Sequence, residues 1–305
     1  MAISINGITV AGVGAAGKDG KSAYDAAKAG GYTGTEEDFN TLLANISSSA
    51  SGKRICRFTV GTRTTGWTES DCDYLCDGTD DQSEINAAIQ ALPSSGGEII
   101  ILDGTYNITA AITMNKDNVK LSGNGNATVL KRMWNSSIKE GIITISPING
   151  GCCVLNLCVD GNKSSYTSSN NSGIYLYGNS SNNTITSNTC NNNYNGIDLY
   201  GSNSTITSNT CNNNNSGIYL YGNNSAIIGN TCNYNNNKGI YLAGSSSTII
   251  GNTCIQGTGK PSDYADSQYT IKTSGTNNLI TGNNIMGKNY VDEGTNNTFT
   301  NNKYN

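Results

Sequence analysis

Four segments of this chain repeat one another almost letter for letter. They read GIYLYGNSSNNTITSNTC at 173–190, GIDLYGSNSTITSNTC at 196–211, GIYLYGNNSAIIGNTC at 217–232 and GIYLAGSSSTIIGNTC at 239–254. Their final cysteines, Cys190, Cys211, Cys232 and Cys254, are separated by 21, 21 and 22 residues. Units this short cannot bury an apolar face alone, so neighbouring copies must stack on one another. The repeat therefore predicts a β-solenoid in which each coil of about 21 residues holds three short strands.

The alternation inside each repeat indicates which side chains face the interior. Because successive side chains of a strand point to opposite faces, Ile174 and Leu176 are expected inside, with Tyr175 and Tyr177 outside. Stacking should extend this into inward files of Ile and Leu, of the isoleucines equivalent to Ile185, and of the cysteines. Weaker flanking copies assign Cys158, Ile285 and Tyr304 to the cysteine position. An amide column is expected to form turns and inter-coil bonds, and comprises Asn156, Asn188, Asn209, Asn230, Asn252, Asn283 and Asn302.

Composition excludes several classes of protein. Charged residues make up 13% of the chain and the net charge is −4, which excludes a duplex-DNA binder that works by phosphate neutralisation. No apolar stretch approaches the ~18–20 residues of a membrane span. The N-terminus lacks the basic and apolar regions of a signal peptide, so we expect synthesis in the cytoplasm. The 17 tyrosines suit hydrogen bonding to a neutral polar partner.

Residues 1–50 predict a separate small helical module. Ser22 with Asp25, and Thr35 with Asp38, have the spacing of helix N-terminal caps. The second helix is expected to bury Phe39, Leu42, Leu43 and Ile46. The segment SSSASG at 47–52 is typical of a flexible joint. We therefore divide the chain into residues 1–50, an initial capping segment at 51–118, and the coils at 119–305.

A helix that covers the open end of the solenoid is expected just after residue 80. Asp81 and Glu84 have the spacing of a capping box, and the apolar face that follows comprises Ile85, Ala88, Ile89 and Leu92. Such a helix would protect strand edges that are otherwise unpaired.

The segment DGTDDQSEINAAIQALPSSGGEIIILDGTYNITAAI at 77–112, followed by NVKLSGNGNATVLKR at 118–132, resembles the first coils of the pectate-lyase superfamily. The resemblance extends over about residues 55–305. This resemblance implies an all-β fold, a right-handed single-stranded parallel β-helix. Many phage tailspikes have this scaffold, and the resemblance to them implies a homotrimer. Residues 17–46 resemble a linking module of phage fibre proteins, which implies attachment to other virion proteins through residues 1–50.

Candidate catalytic residues are few. Asp198 occupies an outward position between Tyr175 and Tyr219. We expect it to be a solvated surface acid; the alternatives are a contact to a ligand and, last, a catalytic group. Asp160 could approach it only if the 161–172 loop folded back. A glycoside hydrolase needs two carboxylates, and the chain has no histidine, so the polygalacturonase pattern that the resemblance would imply is missing. Catalysis within one chain is therefore not expected, although a site shared between subunits stays open.

Tyrosines form two outward rows, Tyr175, Tyr219 and Tyr241 in one and Tyr177, Tyr200 and Tyr221 in the other. Three interpretations stay open: a subunit interface, a glycan-binding strip, or a simple preference of Tyr for strands. The insertion at 255–270 offers further contacts to a glycan or a cation, namely Asp263, Tyr264, Asp266 and Tyr269.

Metal and cofactor sites are not expected. Cys56, Cys72 and Cys76 are too few for a structural zinc site in a chain without histidine, so we interpret them as free thiols.

The leading hypothesis is a phage or prophage fibre or spike protein, located in the virion, whose β-helix contacts a host-surface polysaccharide. The alternatives are a polysaccharide depolymerase, either lyase or hydrolase, on the same scaffold, and a decoration protein that binds no glycan.

Overall fold

The chain divides into two compact units, Met1–Arg54 and Ile55–Asn305. The computed structural model describes residues 2–5, 8–11, 23–42, 56–146, 149–178, 180–256, 268–287 and 290–304.

The first unit contains a hairpin and two short helices. Strands β1 (Ala2–Ile5) and β2 (Ile8–Ala11) pair antiparallel, an element that the sequence analysis did not predict. Helix α1 spans Ala23–Ala29 and helix α2 spans 36–42. The predicted cap of α2 is confirmed, since the Asp38 amide donates to Thr35 Oγ1 and the Thr35 amide donates to Asp38 Oδ2.

Three aromatic rings pack against one another in the described helical part of this unit. Phe39 is buried, and its ring lies 5.8 Å from that of Tyr24 and 5.5 Å from that of Tyr32. The predicted roles of Ser22, Leu43 and Ile46, and the predicted joint at 47–52, lie outside the described residues.

The second unit begins with a capped end. Its elements are β3 (Arg57–Thr62), a 3₁₀ turn (Arg63–Thr65), β4 (Tyr74–Cys76), helix α3 (Gln82–Ala91), β5 (Gly97–Ile101), β6 (Gly104–Ile108) and β7 (Ile112–Met114). The predicted apolar face of α3 is buried, from Ile85 to Leu92. The predicted capping box is wrong. The Asp81 carboxylate accepts hydrogen bonds from the Gly78 and Asn107 amides instead of capping its own helix.

All strand pairs of the second unit are parallel within the described residues. An eight-strand sheet has the order β24-β21-β18-β16-β14-β11-β9-β7. Its strands after β7 are β9 (Glu140–Ile145), β11 (Asn171–Leu176), β14 (Asn195–Leu199), β16 (Ser216–Leu220), β18 (Lys238–Leu242), β21 (Tyr269–Thr273) and β24 (Val291–Asp292).

A thirteen-strand sheet forms another side of the coils. After β3 to β6 it contains β8 (Val119–Arg132), β10 (Cys153–Asp160), β12 (Thr184–Thr186), β13 (Thr189–Asn191), β15 (Thr205–Thr207), β17 (Ala226–Ile228), β19 (Thr248–Ile250), β22 (Leu279–Thr281) and β25 (Thr298–Thr300). A short pair, β20 (Thr253–Ile255) with β23 (Asn284–Met286), lies on the turn between the two sheets.

The predicted inward files are confirmed. Ile174 pairs with Ile197, and the register continues through Ile218 and Ile240, all fully buried. The four repeat cysteines are buried as well, and all ten cysteines of the chain are free thiols. Burial raises the pKa of the Cys232 thiol well above its usual value, as expected for a residue that acts as apolar filler.

The flanking copy at 153–160 is shifted by one position from the predicted alignment. Cys190 pairs with Val159, and Cys158 pairs with Thr189. Cys158 is therefore not in the cysteine file, and the interior position is filled by Val159. Asn156 likewise lies outside the amide column; it takes a left-handed turn conformation (φ 54°) and Leu157 donates to Asn188 in its place.

The rest of the amide column forms a continuous ladder. Asn209 Oδ1 accepts from the Asn188 amide at 3.0 Å, and its Nδ2 donates to the Ile185 carbonyl at 2.9 Å. Two further ladders were not predicted, one through Asn193, Asn214 and Asn235 and one through Ser204, Ser225, Ser247 and Asn278. These side chains satisfy buried backbone groups where the chain turns. No helix in the described part of the chain is long and apolar enough to cross a membrane.

Candidate functional site

The outer face of the eight-strand sheet carries the two tyrosine rows. The rings of Tyr200 and Tyr221 are stacked, with centroids 4.5 Å apart and planes 9° from parallel. Tyr219 and Tyr241 approach to 4.4 Å, and Tyr175 meets Tyr200 edge-on at 6.0 Å. Offset and edge-on contacts of this kind are the favourable geometries for aromatic pairs. The strands therefore place the six tyrosines of the two predicted rows in one continuous aromatic surface.

Asp198 is not a solvated surface acid as predicted. Its side chain is 0% exposed. Oδ2 accepts from Asn195 Nδ2 at 2.8 Å and from Ser172 Oγ at 3.3 Å, and it lies 2.8 Å from Lys139 Nζ. Oδ1 is buried and has no hydrogen-bond partner in the described part of the chain. The tyrosines above and below, together with Lys139, cover a carboxylate that period-two alternation alone places in solvent.

Lys139 completes this cluster and was not predicted. It lies directly before β9, outside the repeats, and its Nζ also donates to the Tyr200 hydroxyl at 2.9 Å. The same ammonium lies 5.0 Å from the ring centroid of Tyr200 and 5.8 Å from those of Tyr175 and Tyr219. Burial alone would lower the pKa of Lys139, but the Asp198 carboxylate and these hydrogen bonds outweigh burial and raise it. Lys139 therefore stays protonated and is unsuited to act as a general base.

The loop that carries Lys139 is anchored from beneath by a buried arginine. Arg132 donates to the Ser172 carbonyl at 2.6 Å and to Asn171 Oδ1 at 3.3 Å, and its guanidinium stacks 3.8 Å from the Trp134 ring. Burial lowers the pKa of Arg132 to about 9. Asn171 Oδ1 also accepts from the Ser136 amide, so one side chain joins the arginine to the loop. This support fixes where Lys139 enters the tyrosine surface.

Three clefts adjoin one another along this face. The first, of about 410 Å³, lies between Ile138, Tyr175 and Tyr177. The second, of about 280 Å³, is lined by Tyr219 and several amides, and the third, of about 550 Å³, is lined by amides, Tyr269 and Lys272. Lys139 lines the first two clefts, and Lys238 lines the second and third. We call the three together the groove.

The groove crosses successive strands from β9 to β21. Five steps between strands at ~4.8 Å give a length of about 24 Å. Its walls combine ring faces, hydroxyls and amides with three lysines and the Glu140 carboxylate, a set of groups that can stack against and hydrogen-bond to a polar polymer.

The remaining predicted site residues do not join this cluster. Asp160 lies on β10 of the thirteen-strand sheet, where its Oδ1 accepts from the Asn162 amide and from Asn192 Nδ2. The structure therefore does not bring Asp160 to Asp198 as a catalytic pair. Tyr269 lines the third cleft. Asp263, Tyr264 and Asp266 lie outside the described residues.

A second polar cluster lies beneath the capping helix. The Cys76 sulfur and the carboxylates of Asp81 and Glu84 are within 4.8 Å of one another. Both Asp81 oxygens already accept backbone hydrogen bonds, and the Cys76 thiol donates to the Asp81 carbonyl. The cluster therefore serves to hold the turn before α3. Cys56 is exposed and Cys72 half-buried, and both are free thiols.

Comparisons with known proteins relate the fold to several carbohydrate-associated and viral proteins. ORF18 of Geobacillus virus E2 has a TM-score of 0.54 at 17% identity, over 90% of this chain and 64% of that one. The A-module of the Azotobacter vinelandii mannuronan C-5 epimerase AlgE6 has a TM-score of 0.51 at 20% identity, over 74% of each chain. Tailspike protein 2 of a bacteriophage of Escherichia coli O157:H7 has a TM-score of 0.53 at 14% identity, over 69% of this chain and 30% of that one.

This chain thus spans less than two thirds of the length of both viral proteins. At these identities the similarity shows a shared fold. A comparison with curated protein sequences gives no significant match.

The model of one protein family matches most of the solenoid. It is described as a right handed beta helix region, and it matches residues 94–253 and 159–304. The predicted fold class, a right-handed parallel β-helix of the type also found in phage tailspikes, is therefore confirmed. The chain belongs to the right-handed beta helix family.

Proposed function

We propose that this chain is the fibre or spike protein of a phage or prophage particle, and that its β-helix binds a host-surface glycan in the groove. The observation that carries the proposal is the continuous surface of tyrosine rings, amides and lysines along about 24 Å of the eight-strand sheet. A polymer that lies along the solenoid axis would contact a similar set of side chains at each coil.

The chemistry of the groove suits a carbohydrate. Tyrosine offers a rigid apolar face for the C–H side of a sugar ring and a hydroxyl for its polar edge. Tyr177 is 58% exposed and Tyr221 is 38% exposed, so both are accessible to a ligand. Amide side chains such as Asn215 and Asn237, which line two of the clefts, can both donate and accept hydrogen bonds.

The virion assignment draws on two further points. The fold is similar to that of a viral protein over 90% of this chain, and residues 1–50 resemble a fibre-linking module. We propose that residues 1–50 attach the chain to other virion proteins and that three chains associate.

Binding is tested on an array of purified bacterial capsular and cell-wall polysaccharides. The double variant Tyr200→Ala/Tyr221→Ala removes the stacked pair and should weaken binding by about 30-fold, the loss typical of an aromatic contact worth ~2 kcal/mol. The matched control Thr207→Ala alters a half-buried residue on the thirteen-strand sheet and should bind as the parent does.

Two results would contradict the proposal. Absence of glycan binding by the parent chain would favour the decoration protein. Release of new reducing ends or unsaturated products from the bound polysaccharide, abolished by Asp198→Asn, would favour the depolymerase.

A further inference from the structure

On the eight-strand sheet, the near-identical coils differ from one another at three outward positions. Where the other copies have Tyr, the second has Asp198; where they have Ser or Asn before the conserved Gly, the fourth has Lys238; and the fourth also has Ala243 in place of Tyr. The inward Ile and Leu of the same segments do not change. Packing therefore holds these interior positions constant, and the three differences lie on the face that carries the groove, although the outward positions of the thirteen-strand sheet also vary, as Thr207 and Ile228 show.

Two of the three groove lysines have a carboxylate partner. Lys139 lies 2.8 Å from Asp198, and Lys272 lies 2.6 Å from Glu293. Lys238 has no carboxylate within ion-pair distance among the described residues. Its Nζ donates to Asn237 Oδ1 at 3.1 Å and lies 6.0 and 5.8 Å from the ring centroids of Tyr219 and Tyr241.

Lys238 also occupies the junction of two clefts. It lines both the 280 Å³ cleft and the 550 Å³ cleft, with Asn215 and Asn237 common to both. Burial lowers the pKa of Lys238, and the positive charge of Lys272 lowers it further, while the Glu293 carboxylate offsets part of this. Ring faces compensate a cation only in part, so a half-buried ammonium here gains from a bound anion.

We propose that Lys238 forms an anion subsite in the groove, which binds a carboxylate or phosphate group carried by the glycan. The inference rests on the proposed function and narrows the ligand to an acidic polymer. The neighbouring amides would donate to the remaining oxygens of the anion, and the tyrosine rings on either side would contact the adjoining backbone of the polymer.

The test uses the full chain with its lysines reductively dimethylated with ¹³C, a modification that keeps the positive charge. The Lys238 signal is identified by its loss in Lys238→Arg. Sodium glucuronate, its neutral methyl ester and glycerol 1-phosphate are titrated separately. We expect glucuronate or glycerol phosphate to shift the Lys238 signal to saturation, and the one that binds tighter identifies the anion as carboxylate or phosphate. The methyl ester should have no effect.

Lys131 on β8 of the thirteen-strand sheet is the internal control. The subsite is overturned if the Lys238 signal stays unchanged, if it moves in parallel with that of Lys131, or if the methyl ester shifts it equally. Against any acidic polysaccharide bound on the array, Lys238→Met should lose about tenfold in affinity and Lys131→Met none.

The two proposals fail separately. Array binding of neutral glycans alone, dependent on Tyr200 and Tyr221 but not on Lys238, would overturn the subsite and leave the proposed function intact. Saturable glucuronate binding at Lys238 with no glycan binding on the array would support the anion subsite and overturn the proposed function.

Discussion

Asp198 and Lys139 form a charged pair within an otherwise aromatic surface. A buried charge is tolerated in a protein only when it is paired and hydrogen-bonded. Asp198 meets that condition through Lys139, Asn195 and Ser172. The pair thereby joins the non-repeating loop before β9 to the repeating coils.

Removing the charge of Asp198 should therefore destabilise the protein. Asp198→Asn keeps the shape but leaves Lys139 half-buried without its counter-ion. We expect a loss of about 2–3 kcal/mol in the free energy of unfolding, measured by urea denaturation. Glu293→Gln breaks the pair with Lys272, in which the Glu293 side chain is 52% exposed, and should cost at most about 1 kcal/mol. Equal losses of stability in both variants would show that burial of Asp198 does not strengthen its ion pair with Lys139.

The environment of Asp198 could not be read from the repeats. Alternation correctly placed its side chain on the outer face of the sheet, in register with Tyr175 and Tyr219. The residue that covers it, Lys139, belongs to a segment without periodicity, and no local pattern connects the two. Contacts between an irregular loop and a distant repeat leave no pattern in the spacing of residues. The Lys139–Asp198 pair was therefore not predicted, whereas the tyrosine rows were.

At the scale of the element, the amide ladders hold the turns of each coil. Each Asn side chain donates to a carbonyl of the preceding coil and accepts from a backbone amide of that preceding coil, as Asn209 does with Ile185 and Asn188. Buried backbone groups that lose such partners carry the full cost of desolvation.

Asn209→Ala should accordingly cost about 2–4 kcal/mol, because the Asn188 amide and the Ile185 carbonyl both lose a buried partner. Asn213 provides a control on the next turn of the same coil. It is exposed and adopts a left-handed conformation (φ 59°) that Gly takes without strain, so Asn213→Gly should stay within about 0.5 kcal/mol. Urea unfolding measures both. A similar loss in the two variants would mean that the ladder contributes only turn propensity.

Elements were predictable where the repeats agree and less so where they do not. Strands β11 to β19 and their inward residues followed from periodicity alone. The copy containing Cys158 and Asn156 was misaligned by one position, since a single flanking segment offers no second copy to fix its register. Asp81 was misassigned because its carboxylate accepts from the Gly78 amide in the preceding turn and from the distant Asn107 amide, and these hydrogen bonds compete with the helix cap.

At the scale of the whole molecule, the question is which surface forms the contact between subunits and whether the tyrosine surface stays free to bind a ligand. The outer face of the thirteen-strand sheet also exposes apolar side chains, with Ile228 at 38% and Leu279 at 36%. It therefore offers a surface for subunit contact that leaves the groove free.

Native mass spectrometry should accordingly give three times the chain mass of 31.9 kDa. The variant Tyr200→Ala/Tyr221→Ala should keep that mass, because we propose that the tyrosines bind a glycan and do not form the subunit interface. Dissociation of this variant to single chains would reassign the tyrosine surface to the subunit interface. A parent chain that is wholly monomeric would overturn the proposed trimer.

The in-register stacking of interchangeable coils has an evolutionary consequence. Nearly identical gene segments invite unequal recombination, and a whole coil gained or lost in this way preserves every inward file and every hydrogen-bond ladder. Descendant proteins can thus lengthen or shorten the tyrosine surface in steps of one coil while the capped end stays unaltered. Variation in coil number would then change the length of the groove while the core sequence stays the same.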